Sequence, residues 1–399
     1  MSALARPWRA AMTATAVLAL CTAGASACGG GVQGDWSWFG GGRRQVGGGE
    51  VRVRWVQRLT PEYEGAYLPV ERAVPTLDPS HDRIYVGSTA GHLNAMTATG
   101  GHIYRYEAGG AIESAPALDA AADELYVGTE QGTVHALRAS DGHLRWRDRA
   151  GGPVRQAPAL TRDAVYVVTD SDQLVAFARD DGTILWSYQR DAPEGFSITS
   201  HAGIALASGK VLAGFTDGVA VALDAASGDV VWEHDTSVDV DTEDEARPRF
   251  VDVDTTPVVI GNTVWIASFS AGLYALDLAT GTVLDRNSGL AGVVGLARAP
   301  TGLVLVSADE GIVYLDVSVP GHRVIWRQPV ERGSPAPPVV VRDHVLVGEA
   351  GGAFRALSLD DGTERSRFEA GYGFSAPAAV DGGLGFVVSN GGTLFAFAY

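Results

Sequence analysis

Short apolar runs interleaved with polar positions recur along this chain at a spacing near 40 residues. One of them, Thr133-Val134-His135-Ala136-Leu137, alternates at period two, the pattern of a β-strand with two distinct faces. Each unit contains a Gly-x-[Leu/Val]-x-Ala-[Leu/Phe] core, then a turn with glycine, then a tryptophan four residues on. The first marker falls at Gly91, Gly132, Asp172, Gly218, Ala271, Gly311, Gly352 and Gly392, with gaps of 41, 40, 46, 53, 40, 41 and 40 residues. The turn glycines Gly101, Gly142, Gly182, Gly228, Gly281, Gly321 and Gly362 keep step. Eight units of short strands at this period predict an all-β fold, an eight-bladed β-propeller with four strands per blade.

The eighth unit stops at Tyr399, before its turn and last strand. The stretch Val51-Arg52-Val53-Arg54-Trp55 can supply the missing strand, closing the ring and removing two sheet edges. Trp55, Trp146, Trp186, Trp232 and Trp326 are expected to fill the space between neighbouring blades rather than to stack on a ligand. Alanines at the fourth place after the marker, such as Ala136 and Ala176, suit the crowded layer beneath them; unit six has Leu315 there. Arg105, Asp285 and Ser366 stand where three units lack the tryptophan, and Tyr104 and Tyr106 are candidates to compensate in the first.

The ends add a compartment. Arg6 and Arg9 precede the apolar run from Ala11 to Leu20, and Ala25-Ser26-Ala27 offers small residues before a cut. Residues 1–27 are therefore expected to be an export signal, with Cys28 as a lipidation site. Residues 28–50 are a glycine-rich tether with a span of roughly 25 Å, interrupted by Trp36, Trp38 and Phe39, and residues 51–399 are the propeller. Gly29, rather than Asp, after the cysteine favours the outer membrane, with the propeller on its periplasmic side. Removing the signal takes away Cys21, so stability rests on core burial rather than a disulfide.

Charge narrows the partners. The formal net charge is −17, and loss of Arg6 and Arg9 makes it −19. Such an acidic chain, with no basic run, does not suit nucleic acid or anionic lipid as a main partner. The two longest gaps place insertions before unit four and between units four and five. Long loops on a rigid scaffold are where binding residues concentrate. The second insertion carries Asp239, Asp241, Glu243, Asp244, Glu245, Asp252 and Asp254. Asp239, Asp241 and Glu243 lack the glycine and spacing of a calcium loop.

With the repeats, the tryptophans and the terminal closure, the stretch Asp252-Val253-Asp254-Thr255-Thr256-Pro257-Val258-Val259 resembles the BamB family of outer-membrane assembly lipoproteins, within the pyrroloquinoline quinone (PQQ)-like propeller repeats. The resemblance implies a monomeric, non-enzymatic scaffold that binds the periplasmic POTRA domains of the barrel-assembly protein BamA. It implies that Asp252 and Asp254 supply an acidic contact, with Phe196 and Ile198 as apolar contacts in the preceding loop. Thr199 stands where that family has an arginine. The rival readings are a PQQ-dependent dehydrogenase and a generic periplasmic binding or adhesion propeller. Against the enzyme, the chain lacks adjacent cysteines, has no metal-ligand histidine spacing, no G-x-S-x-G elbow and no phosphate-binding loop.

Overall fold

A computed structural model describes residues 50–60, 70–191, 202–240, 250–319 and 321–399. These form eight antiparallel sheets of four strands each. The blades span 76–107, 117–149, 159–189, 205–235, 258–287, 293–328 and 339–369, and the eighth combines 379–398 with the strand Arg52–Arg58. That strand pairs with Thr393–Ala398, so the two ends of the propeller close one blade as the sequence predicts. First strands neighbour first strands of adjacent blades and lie innermost, whereas the fourth strand of each blade is an outer edge.

The middle strands bury both faces. In Thr133–Arg138, Val134 and Ala136 pack with Trp146 and with Phe177 of blade 3, while Leu137 packs with Tyr85 and Leu93 of blade 1. The period-two pattern thus separates two neighbouring blades rather than core from solvent. His135 lies in the same buried layer, with Nδ1 2.9 Å from the Tyr106 hydroxyl. Burial, reinforced by the nearby Arg147 cation, lowers its pKa to about 4.

One device ties the blades together. The indole N–H of a fourth-strand tryptophan donates to a carbonyl of the next blade: Trp146 to Arg179 at 2.7 Å, Trp186 to Ala225 at 3.1 Å, Trp232 to Leu278 at 3.1 Å and Trp326 to Leu359 at 2.7 Å. Trp55 does the same from blade 8 to Ala98 of blade 1, at 3.1 Å. Under each ring lies a turn glycine with positive φ, and a Cβ at Gly182 would stand 2.5 Å from the Trp146 ring. The glycine is therefore required twice, by the backbone and by the ring above it.

Two register details correct the sequence reading. In blade 1 Tyr104, not Arg105, stands opposite the alanine, Ala95, and its hydroxyl donates to the Ala139 carbonyl at 3.0 Å. The glycine beneath Trp55 is Gly100, φ +90°, rather than Gly101. In blade 6 Trp326 faces Tyr314 instead of Leu315. The two remaining seams lack the tryptophan. Between blades 7 and 8, a cluster that includes Phe354, Phe368, Phe374, Phe395 and Phe397 fills the space, and the Ser366 hydroxyl accepts the Val51 N–H at 3.3 Å. Between blades 5 and 6, Trp265, His322 and Asp285 meet.

Candidate partner-binding site

Both insertions enter first strands, so they emerge from the same end of the ring, at blades 4 and 5. The hairpin turns joining second and third strands share that end. Three residues before the proline that opens a first strand stand Arg72, Glu113, Arg155 and Asp254 in four units, so one structural position carries charges of both signs. Arg155 lies 3.0 Å from Glu113 and 2.8 Å from Glu130, and also pairs with Asp170. Burial raises the pKa of Glu113 although Arg155 opposes it. Glu71, also buried, accepts the Thr89 N–H at 2.9 Å and the Thr89 hydroxyl at 3.1 Å, yet burial still raises its pKa.

Asp172 replaces the marker glycine of the third unit and keeps its left-handed backbone, φ +54°. Aspartate tolerates that region better than most side chains. Its buried carboxylate accepts the Thr216 N–H at 3.1 Å and the Thr216 hydroxyl, joining blade 3 to blade 4.

The stretch 252–256 lies as a strap across these turns. Val253 donates to the Phe215 carbonyl at 3.1 Å and packs against Gly214, where no Cβ would fit. The Asp252 carbonyl accepts from Phe269 at 2.9 Å. The Thr255 hydroxyl accepts from Ala267 at 2.8 Å, and the Thr256 hydroxyl from Gly203 at 2.9 Å. Asp252 is 1 % exposed and Asp254 7 %. Asp254 Oδ2 has no hydrogen-bond partner, and burial first, then the charges of Asp252 and Asp172, push its pKa up to about 8. The two aspartates expected at a partner's surface are thus buried beneath it, and the strap shapes the loops on either side.

Phe196, Ile198 and Thr199 lie outside the described residues, as do Cys28 and residues 241–249. The start of the second insertion is described, and it is anchored. Asp239 Oδ2 accepts the Tyr274 hydroxyl at 2.9 Å, and its backbone carbonyl accepts from Arg286 at 2.9 Å. The Arg286 guanidinium also lies over the Tyr274 ring at 5.3 Å. Next to this anchor, on the 3-10 turn Ser237–Asp239, Val238 is 76 % exposed, an apolar side chain held out at the loop's edge. Sequence reasoning passed over it because one valine in an acidic run carries no periodic signal.

Among the described residues, the one group of three potential metal ligands is Glu50, Asp343 and His344, at the closure seam. Glu50 meets Nε2 of His344, and Asp343 Oδ1 lies 2.9 Å from Nδ1.

The family model described as "Outer membrane protein assembly factor BamB" matches residues 118–318 and 316–398. The chain belongs to this family. BamB of Yersinia pestis is 28 % identical over 258 residues, 63 % of each chain. BamB of Shewanella oneidensis is 27 % identical over 238 residues, 59 % of each. The matches thus span less than two thirds of the length of these curated relatives. The crystal structure of BamB from Moraxella catarrhalis superposes with a TM-score of 0.73 at 21 % identity, covering 88 % of this chain and 100 % of that one. Quinohemoprotein alcohol dehydrogenase from Comamonas testosteroni reaches 0.64 at 14 % identity, covering 88 % and 76 %. These two likenesses show a shared propeller architecture. The PQQ-like repeat and the BamB resemblance read from the sequence are borne out.

Proposed function

We propose that this BamB-family chain is a non-enzymatic scaffold lipoprotein of the outer-membrane β-barrel assembly machinery, anchored through Cys28 on the periplasmic face. Its partner is the set of periplasmic POTRA domains of BamA. The observation that carries the reading is the pair of insertions at blades 4 and 5, opening on one end of a rigid ring in a chain of this family. Asp252 and Asp254 support the strap that ends the second insertion, and Val238 offers an apolar contact on the same loop. Phe196, Ile198 and Thr199 belong to the same proposed surface through the first insertion.

The likeness to a quinohemoprotein dehydrogenase lies in the fold, so the dehydrogenase reading draws no site from it. The test is calorimetry of residues 29–399 with the POTRA domains of the same organism. Saturable binding that weakens with Val238→Arg supports the assignment. Heat signals no larger than dilution would remove the partner and leave the family and the fold standing.

A further inference from the structure

In every blade the fourth strand carries a β-bulge one residue before the tryptophan position. In blades 2, 7 and 8 the bulged residue is an exposed arginine: Arg145, Arg365 and Arg54. In blade 1 it is Ile103, half-buried against the core. Blades 3 to 6 differ, with Leu185, Val231, Leu284 and Ile325 at the bulge, each preceded by another aliphatic: Ile184, Val230, Val283 and Val324. All eight side chains are between 37 % and 57 % exposed. The fold does not ask for an apolar side chain at the bulge itself, since the same bulge forms around arginine in three other blades. Exposed apolar side chains repeated at one position are the mark of an interaction surface.

We propose that the outer strands of blades 3 to 6 form an arc that binds an extended, unfolded polypeptide segment through its apolar side chains. The geometry selects that occupant. Neighbouring blades turn away from each other by an eighth of a circle, so a rigid partner meets only two facets at once. Two facets offer it four half-exposed aliphatic side chains, a small apolar area beside the ~800 Å² that a stable folded partner buries on one side. A flexible chain follows the convex arc and reaches all four. The bulges bend the outer edges and interrupt backbone pairing, so recognition runs through side chains and not through an added strand. The described chain enters at Glu50, bonded to His344 at the seam of blades 7 and 8, outside this arc. Fourth strands begin at the end of the blades opposite Asp254, which makes the arc independent of the POTRA surface proposed above.

Fluorescence anisotropy of labelled, reduced and carboxymethylated α-lactalbumin, a permanently unfolded chain, titrated with the full protein tests the arc. The expected result is saturable binding, absent with native α-lactalbumin, that falls by about tenfold or more in the variant carrying Leu185→Arg, Val231→Arg, Leu284→Arg and Ile325→Arg. Arginine already occupies this position in three blades, so the variant should keep the parent's circular dichroism spectrum. If it does not fold, the pairs Leu185→Arg/Val231→Arg and Leu284→Arg/Ile325→Arg carry the test, each expected to give a partial loss. Unchanged affinity overturns the proposal, and so does complete loss from one blade's substitution alone. A concentration-dependent dimer of the parent, abolished by the four arginines in sedimentation, would assign the arc to a second copy of the chain instead.

Discussion

The imidazole Nε2 of His322 lies 3.2 Å from Asp285 Oδ2, and the pair stands where most other seams set a glycine beneath a tryptophan. One residue after Gly321, His322 takes the turn position that glycine holds in other blades and keeps its left-handed backbone, φ +51°, and its ring meets the edge of Trp265 with centroids 5.0 Å apart. Asp285 at the tryptophan position and His322 at the glycine position thus replace both members of the pair at this seam.

That relationship predicts coupling between the two sites. His322→Gly alone opens a cavity beside Trp265, and Asp285→Trp alone drives an indole into the imidazole. Each should destabilise by about 2 kcal/mol or more. The double variant should recover part of the loss, with a coupling of about 1 kcal/mol. Urea unfolding of the four proteins measures it, and simple additivity would refute the idea that the seam exchanges one pair for the other.

The glycine beneath Trp146 can be tested against an open one. Gly182 and Gly209 have nearly the same φ, +78° and +72°, but a Cβ meets the Trp146 ring at Gly182 and nothing within 4 Å at Gly209. Alanine should cost about 1 kcal/mol at Gly209 from the backbone alone. At Gly182 the cost should be at least ~2 kcal/mol. Equal shifts in thermal midpoint would mean that the ring moves aside freely.

Asp254 predicts a slope of stability with pH. Its folded pKa, about 8, lies above its unfolded value, so the folded state holds the extra proton between about pH 4 and 8. Its contribution is undiminished below the unfolded pKa and falls as pH rises toward 8, by up to a few kcal/mol. Asp254→Asn should flatten that part of the curve, and the variant should equal or exceed the parent in denaturant midpoint at pH 8. A parent curve that climbs from pH 5 to 8 with no change in the variant would contradict the buried, protonated assignment.

Val238 and Asp239 separate contact from support. Val238→Arg should weaken POTRA binding about tenfold without changing the melting temperature, because the side chain touches solvent. Asp239→Ala removes the acceptor for the Tyr274 hydroxyl and should lower stability by about 1 kcal/mol as well as weaken binding. Calorimetry paired with thermal melts distinguishes the two. Loss of stability in the valine variant would mean that it packs against the ring after all.

The ring was legible because a local pattern, repeated eight times, can be satisfied only by stacking each unit on the next. Terminal closure was legible for the same reason: the unit ending at Tyr399 lacked a strand that the stretch from Val51 contained. The tryptophans told where blades meet, and their spacing missed only the one-residue shifts at Gly100 and Tyr314. Turn length changes register without changing composition, so such shifts leave no trace in a repeat alignment.

The candidate site was legible only as a location. Insertion lengths marked blades 4 and 5, but Asp252 and Asp254 looked like surface acids because sequence shows charge and not depth. The strap buries them through the Val253 N–H, which donates to the Phe215 carbonyl of blade 4, and the Thr255 hydroxyl, which accepts the Ala267 N–H of blade 5. Charge count and repeat period are sums over the chain, so they determined the acidic character, the blade number and the closure. Burial, the unpartnered Oδ2 of Asp254 and the apolar arc over four outer strands arise between blades, where residues from separate units meet, and those only the tertiary structure decided.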